Sequence, residues 1–331
     1  PAEGGGMEII MKNFKYKESP IFRFLLFLYS FELFFFIIVY LYVHITNRTY
    51  IPSNYILVML LPALSALFAT NSVFPYNKAN TFFTFFTFYF ILIFLYTIFS
   101  LFFPYNNKLI FKTLVVLGSL ISLYILFTLP DKNRKHTGLT DDISIREILK
   151  YTICFIFLFS LMVRLEFFCD YFATHDLTQL TIPLANWNRL PELILTFLLT
   201  YILYWGEEYG WGYYLFPLLT QKYGIYKSII FLGIIKIFFH LPLDYYLNPN
   251  TIPFALLFTR SLIIFSSNIY DCWIYKRTST IWIAVILHYF NNNLLDLWQL
   301  TDKSLSFSTP LAAFCYTVIF GSFIFSKTFR E

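Results

Sequence analysis

Apolar positions run along this chain in long, nearly uncharged blocks, separated by short polar clusters. A run of about twenty such residues is what one helix needs to cross the hydrocarbon core of a membrane. The short alternating segments that mark a β-barrel do not occur. Ten blocks are predicted to span, roughly 21–44, 55–74, 82–103, 109–129, 148–167, 190–219, 226–243, 252–274, 280–297 and 309–326. The predicted fold is therefore all-α, a polytopic transmembrane bundle of about ten spans (eight to ten) with no soluble domain.

The polar cluster Asp131–Glu147 is the longest connection and is read as a cytoplasmic loop. It divides a transmembrane scaffold, residues 7–130, from a region at 148–331 that holds the chemistry. Pro1–Gly6, ahead of Met7, is read as an expression remnant. No cleavable signal peptide is expected, because the first apolar run is too long and lacks a small-residue cleavage site. In the third block, Thr81, Thr84 and Thr87 are expected to form a small-residue stripe against a neighbouring helix. Glu32, in the first, is expected as a packed, protonated or hydrogen-bonded carboxyl.

Composition sharpens the class. The 331 residues are 58% hydrophobic and only 13% charged, whereas soluble domains carry about 25% charged residues. The net charge of +5 is scattered through short loops, so it gives no sign of a nucleic-acid partner, none is expected, and the basic residues are better read as topology signals. Lys12, Lys15, Lys17, Arg23, Lys78, Lys132, Arg134, Lys135, Arg146, Lys150, Lys222, Lys227, Lys276, Arg277, Lys327 and Arg330 fall on one side of the ten-span arrangement. That bias places both termini in the cytoplasm. Cys154, Cys169, Cys272 and Cys315 show no metal spacing and are read as small apolar residues.

Against this background, two adjacent acids stand out. Glu207 and Glu208 lie inside an apolar block, and an acid within a membrane span is a functional candidate. The next block contains His240, and a later one contains His288 and Asn292, one helical turn apart. Glu207 and His240 are each about sixteen residues from the predicted turn at Tyr223-Gly224, so they are expected at similar depth. The set suits hydrolysis. A desolvated carboxylate serves as general base, a histidine holds the same water, and a second histidine with an asparagine donates to an oxyanion. Glu207, His240 and His288 are equally a possible zinc set, although no H-E-x-x-H spacing is present.

The blocks Glu207-Glu208-Tyr-Gly-Trp-Gly-Tyr-Tyr-Leu-Phe-Pro217, Phe239-His240-Leu-Pro242 and Arg277-Thr-Ser-Thr-Ile-Trp282-Ile-Ala284 leading to His288 and Asn292 resemble a known pattern. It is that of the CAAX protease and bacteriocin-processing (Abi) family of intramembrane peptidases, related to the CAAX prenyl endopeptidases. The resemblance implies Glu207 and His240 as water-activating residues, His288 and Asn292 as the oxyanion hole, and Glu208 as a supporting acid. It also implies that no cofactor is required, zinc being the runner-up. The implied partners are membrane lipid and a peptide or lipidated-protein substrate; the short loops and the richness in Phe, Ile, Tyr and Asn suggest a prokaryotic plasma membrane.

Two positions depart from the pattern. Gly212 stands where the family has arginine, and Lys236 where it has an aromatic residue. Lys236 is expected to take over the missing cation's role by pairing with Glu208, since an unpaired buried acid is strongly destabilising. Loss of the arginine leaves a second reading open, a catalytically silent member that binds a peptide as an immunity or scaffold protein. Arg260 is expected in an interhelical ion pair, with Asp244 and Asp271 solvated near span ends.

Overall fold

The computed structural model describes residues 19–46, 53–70, 80–102, 107–139, 143–175, 186–247, 254–298 and 310–330. Pro1–Gly6 and the lysines 12, 15, 17 and 78 of the charge pattern lie outside the described residues.

All ten predicted blocks are helical where described. They are α1 (Pro20–Thr46), a 3₁₀ stretch Ser53–Leu60 running into α2 (Leu61–Ala69), α3 (Asn80–Phe102), α4 (Asn107–Thr128) and α5 (Ile145–Thr174). After these come α6 (Leu190–Glu208), α7 (Phe216–Tyr223), α8 (Ile225–Leu247), α9 (Phe254–Thr278), α10 (Ile281–Asn293) and α11 (Pro310–Ile319). Among the described residues, five stretches are long and apolar enough to cross a membrane: Pro20–Tyr42, Thr81–Leu101, Lys108–Thr128, Ile145–Cys169 and Ile225–Asp244. The other predicted spans are shorter, broken or charged. Thus α10 has 13 residues and α11 has 10, against the roughly 20 of a full crossing.

The helices fall into two units. One comprises Pro1–Asp142, Leu198–Gly224 and Ser279–Val285; the other comprises Ile143–Phe197, Ile225–Thr278 and Ile286–Glu331.

In the first unit, α1 packs on α2, α3 on α4, and α2 on the stretch that follows α6. The buried face of α3 is made by Phe82, Phe86 and Ile93, all fully covered. Thr81 is exposed, Thr84 and Thr87 are half-covered, and the Thr87 hydroxyl donates to the Phe83 carbonyl within the helix, at 2.9 Å. The expected threonine stripe is therefore not the packing face; the larger apolar area of the phenylalanines claims it. Glu32 is buried, as expected.

In the second unit, α9 is central and packs against both α8 and α11. Gly233 lets α8 approach α9 closely, since a Cβ there would lie 2.5 Å from the Phe265 ring. The buried Asn268 amide secures the same crossing by donating to the Ile229 carbonyl at 3.0 Å. On the other side of α9, Ser266 and Thr317 hydroxyls meet at 3.2 Å.

Candidate active site

The first motif block begins at the end of α6. The helix stays regular to Glu208, then widens into one π-helical stretch, Tyr209–Leu215, and returns to α geometry at Phe216. Such stretches insert a register change into a helix and recur at functional sites. The whole of Tyr201–Gly212 is buried, with Glu207 at 5% and Glu208 at 1% exposure.

Glycine explains how the backbone gets in so close. Gly206 and Gly210, one turn apart, face the Met59–Pro62 segment. A Cβ on Gly210 would lie 2.4 Å from the Pro62 Cβ and 2.5 Å from its carbonyl carbon; on Gly206 it would lie 2.8 Å from the Met59 oxygen. Backbone cannot yield as a side-chain tip can. Gly210→Ala is therefore expected to cost about 1–3 kcal/mol, the usual penalty of overpacking. Thermal unfolding in detergent micelles checks this, and an alanine variant as stable as the parent would contradict the close approach.

Trp205, two residues before Glu207, is clamped on several sides. Phe82 and Phe86 present ring edges to it, each with centroids 4.9 Å away, and Tyr209 lies at 4.9 Å. Its indole Nε1 donates to the Thr137 carbonyl at 3.0 Å. The Tyr213 hydroxyl donates to the Lys135 carbonyl at 3.1 Å. Gly138, at φ +73°, turns its carbonyl to accept the Ile281 N–H at 3.3 Å and the Thr280 hydroxyl at 3.4 Å. Residues 135–139 thus form a strap tying the first block to the start of the third. The strap lies in the longest polar connection of the chain, yet Thr137 and Leu139 are fully buried. The reason is that its backbone carbonyls, rather than its side chains, meet the motif residues.

The third block opens at the same place. After α9 ends at Thr278, Ser279 takes a left-handed turn at φ +54°. The Thr280 oxygen then accepts the Trp282 N–H at 3.3 Å, a side-chain cap for the helix start. From that cap α10 carries His288 and Asn292 on one face, half-covered and exposed respectively.

The second block lies on α8, in the second unit, where Lys236, His240 and Asp244 recur every four residues and so share one face. Two ion pairs to α9 flank the histidine. Lys236 Nζ lies 2.9 Å from Asp271 Oδ2, and Arg260 Nη2 lies 3.1 Å from Asp244 Oδ1. The polarity of the two pairs is opposite, with the cation on α8 in one and on α9 in the other. Lys236, Arg260 and His288 are all close enough to act electrostatically on the His240 ring. Pro242, inside α8, lacks the N–H that would bond the Phe238 carbonyl, which loosens the helix beside His240.

Sequence reasoning placed Arg260 in an interhelical pair, and the structure does so. It took Asp244 and Asp271 as solvated, and this is corrected: Asp244 is buried and Asp271 is largely covered. Lys236 has a partner the sequence did not single out, Asp271. The signal was present in the four-residue spacing on α8, but the partner's place on α9 depends on the helix crossing at Gly233. Glu166, Asn291 and Tyr316 were missed. Glu166 is buried on α5, and Tyr316 on α11 lies within electrostatic reach of Glu166, Arg260 and Asp271. By unit, Glu207 and Glu208 belong to the first, and Lys236, His240, His288 and Asn292 to the second.

Residues 186–294 match the family model of the Rce1-like type II CAAX prenyl endopeptidases. That third of the chain contains all three motif blocks, and the family is the one that the motifs resemble. No curated protein and no solved structure matches the chain. The apolar helices and this match support an integral membrane protein, in which residues 186–294 are similar to the Rce1-like endopeptidases.

Proposed function

We propose that this chain is an intramembrane endopeptidase that hydrolyses a peptide bond in a membrane-associated peptide or lipidated protein. The observation that carries the reading is the Rce1-like match over 186–294, with the three blocks in family order. The burial of Glu207 and the electrostatic proximity of His240 and His288 support it.

In this reading Glu207 takes a proton from a water held by His240, and the water oxygen attacks the scissile carbonyl carbon. Negative charge moves to the carbonyl oxygen, where His288 and Asn292 donate hydrogen bonds; such donors are typically the largest single catalytic contribution. The intermediate collapses, the C–N bond breaks, and the proton held by Glu207 passes to the leaving amine. Glu208 acts as a supporting acid. The loop charges support cytoplasmic termini. No cofactor enters this scheme. Zinc held by Glu207, His240 and His288 is the alternative, in which those residues act as ligands.

One observation favours a second reading. Gly212 occupies the place of the family arginine, as expected of a silent member that binds peptide without cutting it. A single experiment separates the three. The purified chain in proteoliposomes is given a library of prenylated and unmodified membrane peptides, with and without chelator. Cleavage indifferent to chelator is the expected result. Cleavage abolished by chelator and restored by zinc would move the residues into a metal site, and binding without cleavage would establish the silent reading.

A further inference from the structure

Three consecutive asparagines end α10, and each has a different environment. The Asn293 amide donates to the Tyr289 carbonyl at 2.8 Å, within its own helix. Asn291 Oδ1 accepts the hydroxyl of Tyr316, from α11, at 2.5 Å. Asn291 Nδ2 in turn donates to Asn292 Oδ1 at 3.4 Å. An amide whose oxygen is held in this way keeps its NH₂ hydrogens for something else, and Asn292 is exposed while Tyr316 is almost wholly buried.

We propose that Tyr316 is a positioning residue that acts through Asn291 to set Asn292 as a hydrogen-bond donor. The relay runs one way. Tyr316 O–H donates to the Asn291 carbonyl oxygen, Asn291 N–H donates to the Asn292 carbonyl oxygen, and the Asn292 N–H groups face the substrate oxyanion. Each bond polarises the next amide, so the last donor is strengthened as well as oriented. The inference rests on the reading of Asn292 as an oxyanion donor, and it adds two residues outside the family motif to that reading. The Tyr316 ring on α11 lies tilted against that of Phe320, with centroids 5.0 Å apart.

The test compares Tyr316→Phe, Asn291→Asp, Asn292→Ala and the double variant Tyr316→Phe with Asn292→Ala, in the proteoliposome cleavage assay. Tyr316→Phe is expected to lower kcat about five- to tenfold, as for loss of one hydrogen bond of ordinary strength, with KM unchanged. Asn291→Asp, whose ionised side chain donates nothing, is expected to lose more. The double variant should be no slower than Asn292→Ala alone. An undiminished kcat in Tyr316→Phe, or losses that multiply in the double variant, would overturn the relay. Full activity in Asn292→Ala would instead refute the oxyanion reading on which it rests. A second readout needs no turnover: the side-chain ¹⁵N amide signal of Asn292, identified by its loss in Asn292→Ala, should shift in Tyr316→Phe. An unmoved signal also overturns the proposal.

Discussion

Replacing Lys236 with methionine is expected to destabilise the protein by about 3–5 kcal/mol, the cost of breaking a buried ion pair from one side. The change keeps the length of the stem and removes only the charge. What it leaves behind is the Asp271 carboxylate, 18% exposed, whose cation had stood 2.9 Å away across α8 and α9. That residual exposure puts the expected loss at the lower end of the range. Removing both charges, as Lys236→Met with Asp271→Leu, should recover most of it, since apolar residues of similar volume replace buried ion pairs at little net cost. Thermal unfolding of the four proteins in one detergent gives the coupling directly. Additive losses would mean that the two side chains do not share an interaction. The pair at the far end of the same face, Arg260 with Asp244, should behave alike but more weakly, because the arginine side chain is 33% exposed.

Glu207→Gln is expected to slow cleavage by about 10²–10⁴-fold, the range that a positioned general base contributes. Glutamine has the same shape and removes the proton acceptor alone. Folding should therefore survive the change, and peptide affinity with it, because uncharged amides are cheaper to bury than carboxylates. Glu208→Gln provides the contrast. Glu208 is at least as deeply buried as its neighbour, so its replacement should show in the unfolding midpoint more than in kcat. Each unit of 1.36 kcal/mol is tenfold in rate, so the Glu207 effect corresponds to about 3–5 kcal/mol of transition-state stabilisation, well clear of experimental scatter.

Much of this architecture was legible in the chain. Length and apolarity of the blocks identified the helices, since a single segment bonds its whole backbone in hydrocarbon only as a helix and the alternation of a barrel strand is absent from the sequence. Among the described residues five stretches are long and apolar enough to cross, because the signal registers apolar content and not whether the helix is continuous. The π-helical stretch after Glu208 illustrates the limit. Its glycines were visible, but their purpose lies in Pro62, about 150 residues earlier in sequence. The strap at 135–139 was hidden for a related reason. Its side chains read as a solvated loop, while its carbonyls receive Trp205, Tyr213 and Thr280. The ion pairs around His240 were half visible. Spacing put Lys236, His240 and Asp244 on one face, and only the crossing of α8 and α9 supplied Asp271 and Arg260. Tyr316 had no local signal at all, because a lone tyrosine in an apolar helix ordinarily packs as a hydrophobe with one polar tip.

The role of Glu207 as the residue that activates water for peptide-bond cleavage is tested most directly by measuring peptide binding and product formation side by side for the parent and Glu207→Gln in the same lipid. Both proteins are expected to bind, and only the parent to release the two product halves. Equal cleavage by both would remove Glu207 as the base, and binding without products from either would contradict the peptidase reading itself.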